Sequence, residues 1–390
     1  MKFTQFSPVK LIFGSGSLDQ LGFEPLPGKK ALLLTSRGTS HMTNGSFGRT
    51  QSGLERAGVE WTHLGVVEAN PLSTTVMKAA AHAKAEGCDF IVALGGGSVM
   101  DCAKAVAVMA TNPGDLWDYV QQGTGKRQIP EVPPLPIVAI TTTAGTGSEV
   151  DGGGVITNAE AREKQPFSGK GGIYPVLAIV DPELMLTVPP LFTAYQGFDA
   201  LFHAVEGYVT KRPTWLSDMY ALESVRHIAK GLARAVRNGS DLEAREHVAM
   251  ANTLSGYVMT MTRLTSQHAM EHALSAFEQD LPHGAGLIML SLAYFDHMIK
   301  TGARSERFVE LARALGRTDA VHPTDFLRAL HDLQRECGVD GLKMSDWGIK
   351  REDIPALAEN ARFTGAAAFE NDPVALTFED TVSIYEAAWR

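Results

Sequence analysis

Three histidines crowd the run Gln267 to Gly286, QHAMEHALSAFEQDLPHGAG, where His268, His272 and His283 stand with Glu271, Glu278 and Asp280 among them. Residues four apart share one face of a helix, so His268 and His272 point the same way, and Pro282 suits the opening of a second helix at His283. Upstream, QGFDALFHAVEGYV sets Asp199 and His203 four apart in a strongly apolar helical pattern. Neutral imidazoles with one carboxylate suit zinc or iron, and a set without thiolates leaves room for an exchangeable oxygen ligand. One Asp with three His therefore predicts a catalytic metal site. Either pair alone carries little weight, because among 12 histidines such spacings arise by accident. The two together, beside the features below, carry much more.

The elements that must position these side chains follow from the patterning. In the first half, β-rich runs at VKLIFGSG (9–16), KKALLLTS (29–36), HLGVV (63–67), FIVALGGG (90–97) and PIVAIT (136–141) alternate with amphipathic segments at 72–86 and 99–110. That alternation predicts βαβ units and a parallel sheet, which binds ligands at the carboxyl ends of its strands. GGGSVMD (95–101) follows an apolar strand and opens the helical pattern that carries Lys104. Such a turn brings backbone N–H groups to a pyrophosphate at a helix N-terminus, although Met100 stands where the usual fingerprint has a third glycine. A second turn, TTTAGTGSEV (141–150), offers small hydroxyl residues to phosphate and ribose. Strands at GVITN (154–158) and LAIVDP (177–182) are expected to pair and close this half, with Lys164 and Lys170 in the loop between them.

After VPP (188–190) nearly everything reads as helix. Thr193-x-x-Gln196 is a candidate capping box ahead of Phe198, and helical patterns follow at 216–236, 241–262, 284–300, 304–315, 323–336 and 377–388. The chain is thus expected to divide into an α/β dinucleotide-binding domain over 1–187 and an all-helical metal-binding and substrate domain over 188–390. The reactive cleft is expected where the two meet.

Composition excludes several classes of function. Hydrophobic residues make up 44% of 390, ample for a core, and 35 Lys and Arg against 44 Asp and Glu leave a formal charge of -9. With no basic block to follow a phosphate backbone, nucleic acid is not an expected partner. No apolar run approaches the roughly 18 residues that span a bilayer. The start of the chain has no signal-peptide pattern, so a soluble cytoplasmic protein without a membrane partner is expected. Cys88, Cys102 and Cys337 lack CxxC spacing and read as reduced packing residues.

Taken in order, FGSGSLDQL, GGGSVMD, TTTAGTGSEV, DPEL, FDALFHAVEGYV and QHAMEHALSAFEQDLPHG resemble the iron-dependent (type III) alcohol dehydrogenase family across nearly the whole chain. KQPFSG and the ending FTGAAAFENDPVALTFEDTVSIYEAAW are most similar to its butanol dehydrogenase and broad aldehyde reductase branch. The resemblance implies the fold shared with dehydroquinate synthase, an α/β dinucleotide-binding domain with a parallel sheet followed by an all-α metal-binding domain, in a homodimer or larger homo-oligomer. It implies Asp199, His203, His268 and His283 as ligands of Fe2+, with Zn2+ the alternative, and His272 as a catalytic neighbour facing the nicotinamide. Gly96, Gly97 and Ser98 would hold the pyrophosphate, with Asp101 nearby. Thr142, Thr143 and Thr146 would contact the cofactor, and Lys164 would lie beside its ribose.

The same resemblance implies hydride transfer between NAD(P) and a small primary alcohol or aldehyde held by the metal. His268 and His283 are one residue further apart than is common in the family, an insertion in FEQDLP that costs little loop-closure entropy. Where NAD-specific relatives often place an aspartate after the second strand, this chain has Ser36 followed by Arg37. That removes a repulsion and offers phosphate a partner, a lean towards NADP. Rival readings are a metal-dependent lyase of the dehydroquinate synthase type, polyol oxidation like that of glycerol dehydrogenase, and a non-enzymatic nucleotide or metal sensor.

Overall fold

The apolar runs of the first half become strands: β1 (Lys10–Phe13), β2 (Lys30–Ser36), β3 (Glu60–Val67), β4 (Phe90–Gly95), β5 (Ile137–Thr141), β6 (Gly154–Asn158), β7 (Glu163–Phe167) and β8 (Leu177–Val180). The computed structural model describes residues 3–169 and 171–390, so Lys170 lies outside the described residues. Six strands form a parallel sheet in the order β1-β8-β5-β4-β2-β3. Helices α1 (Ser40–Thr43), α2 (Ser46–Arg56), α3 (Ser73–Glu86) and α4 (Gly97–Met109) connect them. A parallel sheet is covered on both faces, so its interior strands are apolar throughout, and β4, FIVALG, is buried at every residue. Alternate side chains serve opposite faces. Leu32, Leu34, Ile91 and Ala93 pack with residues of α3 and α4, whereas Ala31, Leu33, Phe90 and Val92 pack with Phe47 and Leu54 of α2.

The strand pair expected between 154–158 and 177–182 does not form. Instead β6 pairs with β7 in a separate two-stranded sheet, and β8 lies in the main sheet between β1 and β5. Burial explains the choice. All four residues of β8, LAIV, are apolar and buried, as an interior strand requires, whereas β7, EKQPF, contains Pro166, which removes a ladder donor and suits an edge.

Phe6–Ala161 and Gln165–Val188 make up one compact unit, and Pro189–Arg390 with Arg162–Lys164 belong to a second. The second is helical: α5 (Pro190–Val209), α6 (Trp215–Arg237), α7 (Leu242–Thr262), α8 (Ser266–Phe277), α9 (His283–Lys300), α10 (Ser305–Ala314), α11 (Thr324–Glu336), α12 (Ile354–Thr364), α13 (Ala366–Asn371) and α14 (Phe378–Ala388). The capping box expected at Thr193 is replaced by a proline start. Pro189 is the cap, Pro190 the first helical residue, and Thr193 Oγ1 donates back to the Pro189 carbonyl at 3.1 Å. Among the described residues no helix is long and apolar enough to cross a membrane.

Buried along almost its whole length, α5 has its neighbours pressed against it at glycines. A Cβ added at Gly197 would lie 2.2 Å from Leu232 of α6, and one at Gly207 would lie 2.2 Å from Val258 of α7. In the first turn of α9, a Cβ at Gly284 would lie 2.1 Å from the Tyr195 carbonyl oxygen of α5. That neighbour is main chain and cannot rotate away. Gly284→Ala is therefore expected to cost about 1–3 kcal/mol by overpacking, despite alanine's better helix propensity, and to lower the thermal unfolding midpoint. A midpoint equal to that of the wild type would show that α9 can shift away from α5 freely.

Candidate functional site

Three helices bring the histidine-rich motifs together: Asp199 and His203 stand on successive turns of α5, His268 and His272 on α8, and His283 opens α9. Asp199 Oδ1 lies 3.5 Å from His203 Nδ1, 3.4 Å from His268 Nε2 and 3.6 Å from His283 Nε2. The His203 and His268 rings stack with centroids 4.4 Å apart. Donor atoms about 2.1 Å from one ion at tetrahedral angles stand about 3.4 Å from one another, close to the spacings around this carboxylate. Ligand atoms of Asp199, His268 and His283 all fall within 4.8 Å of each other. A carboxylate with imidazoles and no thiolate fits Fe2+ or Zn2+.

Electrostatics set the protonation of the cluster. Burial alone would raise the Asp199 pKa, but His203 and His283, then the hydrogen bond from His268, outweigh it and hold the carboxyl well below the usual carboxylate range. Burial also opposes a charge on His268, while Glu206 first and Asp199 next push that ring up to about 10. For His272 and His283, burial and then the Lys164 ammonium keep both imidazoles well below their usual range.

His272 stands apart from the Asp199 cluster, its ring 6.5 Å from that of His268 and 5.4 Å from that of His283. With Glu271 and His283 it forms a second cation-like grouping. A cation of the chain's own already serves that grouping, since Lys164 Nζ lies 3.4 Å from Glu271 Oε2 and 3.4 Å from His283 Nδ1. The neighbours of its ammonium are thus the Glu271 carboxylate and the Nδ1 side of an imidazole of the Asp199 cluster.

Two carboxylates that the sequence reading left without a role stand behind the histidines. Glu206 Oε1 is hydrogen-bonded to His268 Nδ1, and Glu271 Oε2 to His283 Nδ1. The signal was present, since Glu206 follows His203 by three residues and Glu271 follows His268 by three. That spacing would have named the wrong partner, because each contact crosses to another helix.

In the sheet unit, β4 ends at Gly95 and α4 opens at Gly97. The second turn packs against this one so tightly that a Cβ at Gly96 would lie 2.7 Å from Thr143 Oγ1 and one at Gly97 would lie 2.2 Å from Thr146 Cγ2. The Thr142 N–H donates to the Gly95 carbonyl at 2.9 Å, and Ser98 Oγ donates to the Ala69 carbonyl. Asp101 braces this packing, accepting from Ser148 Oγ at 2.6 Å and from the Val155 N–H at 2.8 Å. Burial, against the pull of Lys104, lifts its carboxyl to about 6. Lys104 is fully buried and donates to Ser148, Asp151 and the Gly153 carbonyl. At the end of β2 the register shifts, so Ser36 pairs with Val67, and the exposed Arg37 donates its N–H to the Val67 carbonyl at 3.0 Å.

Glycine turns at strand ends and imidazoles gathered on a buried carboxylate are the equipment of a metal-dependent, nicotinamide-linked oxidoreductase. Residues 8–182 match the family described as iron-containing alcohol dehydrogenase, and residues 193–389 match the C-terminal part of the Fe-containing alcohol dehydrogenase family. The chain is 36% identical to a 1,3-propanediol dehydrogenase of Citrobacter freundii over 362 residues, covering 91% of each. It is 34% identical to an NAD-dependent methanol dehydrogenase of Bacillus methanolicus over 392 residues, covering 98% of this chain and 99% of that one. The crystal structure of an archaeal halo-thermophilic alcohol dehydrogenase from a Red Sea brine pool matches with a TM-score of 0.94 at 33% identity, over 100% of this chain and 99% of that one. The chain belongs to the iron-containing alcohol dehydrogenase family. It is an oxidoreductase that interconverts small alcohols and aldehydes with iron and a nicotinamide cofactor, and the lyase and sensor readings are not favoured.

The packed turns generate a test. Gly97→Ala drives a methyl group into Thr146, and nicotinamide cofactor affinity measured by calorimetry should fall by about tenfold, the equivalent of about 1.4 kcal/mol. Wild-type affinity in the folded variant would show that the turn tolerates a side chain and that its glycine does not serve the cofactor.

Proposed function

We propose that Asp199, His203, His268 and His283 are the iron ligands of this alcohol dehydrogenase. The observation that carries the assignment is the position of Asp199 Oδ1, within 3.4–3.6 Å of one nitrogen from each of the three histidines. When bound, the ion would supply a Lewis acid for a carbonyl or an ionised alcohol, and the nicotinamide would supply the hydride donor or acceptor. One carboxylate and three neutral imidazoles leave such a divalent site net positive, which suits an oxygen that gains negative charge. Iron follows from the family, and the donor set leaves zinc as the alternative.

His272 is assigned the proton-handling role at its imidazole. It sits one helical turn from His268, half-buried, and burial with Lys164 keeps the ring neutral. Gly96, Gly97 and Ser98 offer backbone to the pyrophosphate, Thr142, Thr143 and Thr146 surround the same turn, and Asp101 holds it in place. Lys164 is assigned to the ribose, with Glu271 and His283 fixing its ammonium. Ser36 and Arg37 read the 2' group, with NADP favoured. The substrate is a small primary alcohol or aldehyde, as for the butanol dehydrogenase and aldehyde reductase branch, and the enzyme works as a cytoplasmic homo-oligomer.

Removing one ligand tests the metal assignment. His268→Ala should lose bound iron and turnover together, whereas His272→Ala should keep its iron and lose rate. Metal analysis of both purified variants decides, and a His268→Ala protein with full iron and normal turnover overturns the ligand set. The 2' assignment is read from kcat/KM for NADPH over NADH before and after Ser36→Asp. Like charges in contact at a partly screened surface repel by about 1–4 kcal/mol, so the ratio should drop by about tenfold or more. An unchanged ratio would show that this loop does not read the 2' position.

A further inference from the structure

His268 of α8 and His283 of α9, two of the proposed ligands, are oriented by the same device. Each presents Nε2 to Asp199 Oδ1, at 3.4 Å for His268 and 3.6 Å for His283. The opposite nitrogen of each ring, Nδ1, is hydrogen-bonded to a carboxylate that is 0% exposed, Glu206 for His268 and Glu271 for His283. A carboxylate accepts and does not donate, so a ring that yields one proton to a bound cation keeps the other at Nδ1 and frees the lone pair of Nε2, the nitrogen that faces Asp199.

Both carboxylates are themselves held. Glu206 Oε2 accepts from the Thr265 N–H and from Thr265 Oγ1, each at 2.9 Å. Glu271 Oε1 accepts from Ser275 Oγ, and Oε2 lies 3.4 Å from Lys164 Nζ. Gly286 makes room for Glu271, since a Cβ at that position would lie 2.8 Å from Glu271 Cγ. The braces also link the helices in sequence, because a carboxylate on α5 holds an imidazole on α8, and a carboxylate on α8 holds an imidazole on α9.

We propose that Glu206 and Glu271 are positioning residues for the iron, each fixing the tautomer and ring angle of one ligand so that Nε2 is presented to the ion. The proposal rests on the ligand assignment of the preceding subsection. A purely structural role for the two carboxylates makes a different prediction: their loss would lower the stability of the protein and leave its affinity for the ion unchanged.

The test uses Glu206→Gln and Glu271→Gln in the full chain, because glutamine keeps the shape and an acceptor oxygen but removes the charge. Anaerobic competition titrations with a chelator give the Fe2+ dissociation constant, and Co2+ serves as a visible spectroscopic probe of the ligand field. Each variant should bind Fe2+ about 10- to 100-fold more weakly, with shifted Co2+ bands, and Glu206→Gln, which has no contact with Lys164, should keep its nicotinamide cofactor affinity. A folded Gln variant with wild-type Fe2+ affinity and Co2+ bands overturns the proposal for that residue. Should a Gln variant not fold, the Asp variant, one methylene too short to reach Nδ1 from the same backbone, is titrated in its place under the same criteria. His268→Ala separates the two levels. If it keeps its iron, the ligand assignment fails; if it loses iron while both Gln variants bind normally, only the positioning role fails.

Discussion

Three helices of the second unit, α5, α8 and α9, gather their imidazoles around a buried carboxylate. An ionised Asp199 at 4% exposure would cost several kcal/mol if left alone, so the packing must deliver compensating charge to it. Imidazoles arrive on α5, α8 and α9, and Glu206 and Glu271 stand behind two of them. Three buried carboxylates in this cluster face the buried Lys164 ammonium and the His268 ring, which Glu206 and Asp199 push up to about 10. On the ligand assignment proposed above, a divalent ion would take the place of the His268 proton as the charge that compensates these carboxylates.

Delivering those groups demands short distances between helix axes. Gly197 and Gly207 let α6 and α7 close on α5, and Gly284 lets the first turn of α9 rest on the α5 main chain. With His283 the residue before Gly284, the same contact that sets the helix spacing also sets where the imidazole arrives. Interiors packed to this density pass a displacement of a few tenths of an ångström directly to the site.

A related economy governs the sheet unit. Two turns at the carboxyl ends of neighbouring strands β4 and β5 press together through Gly96 and Gly97 against Thr143 and Thr146. Asp101 and Lys104, one turn apart on α4, reach across to Ser148, Asp151, Gly153 and Val155. A buried polar network of this kind holds backbone N–H groups in one arrangement, which a phosphate ligand needs and which a flexible glycine loop by itself does not provide.

Much of this was legible in the residues themselves. The buried runs of β2, β4 and β5 announced a doubly covered parallel sheet, and Pro282 announced the start of α9. Asp199 with His203 and His268 with His272 announced side chains on shared helical faces, because such spacing is a property of a single element. Thr193 carries the local pattern of a cap, but α5 opens earlier, at Pro190, where a proline without an N–H suits the helix terminus. The placement of Lys164 against Glu271, and the pairing of Glu206 with His268 and of Glu271 with His283, had no local signal. Each depends on how two elements far apart in the chain approach, as where Gly284 lets α9 close on α5 and Gly286 makes room for Glu271, glycines whose missing side chains matter only once the helices meet.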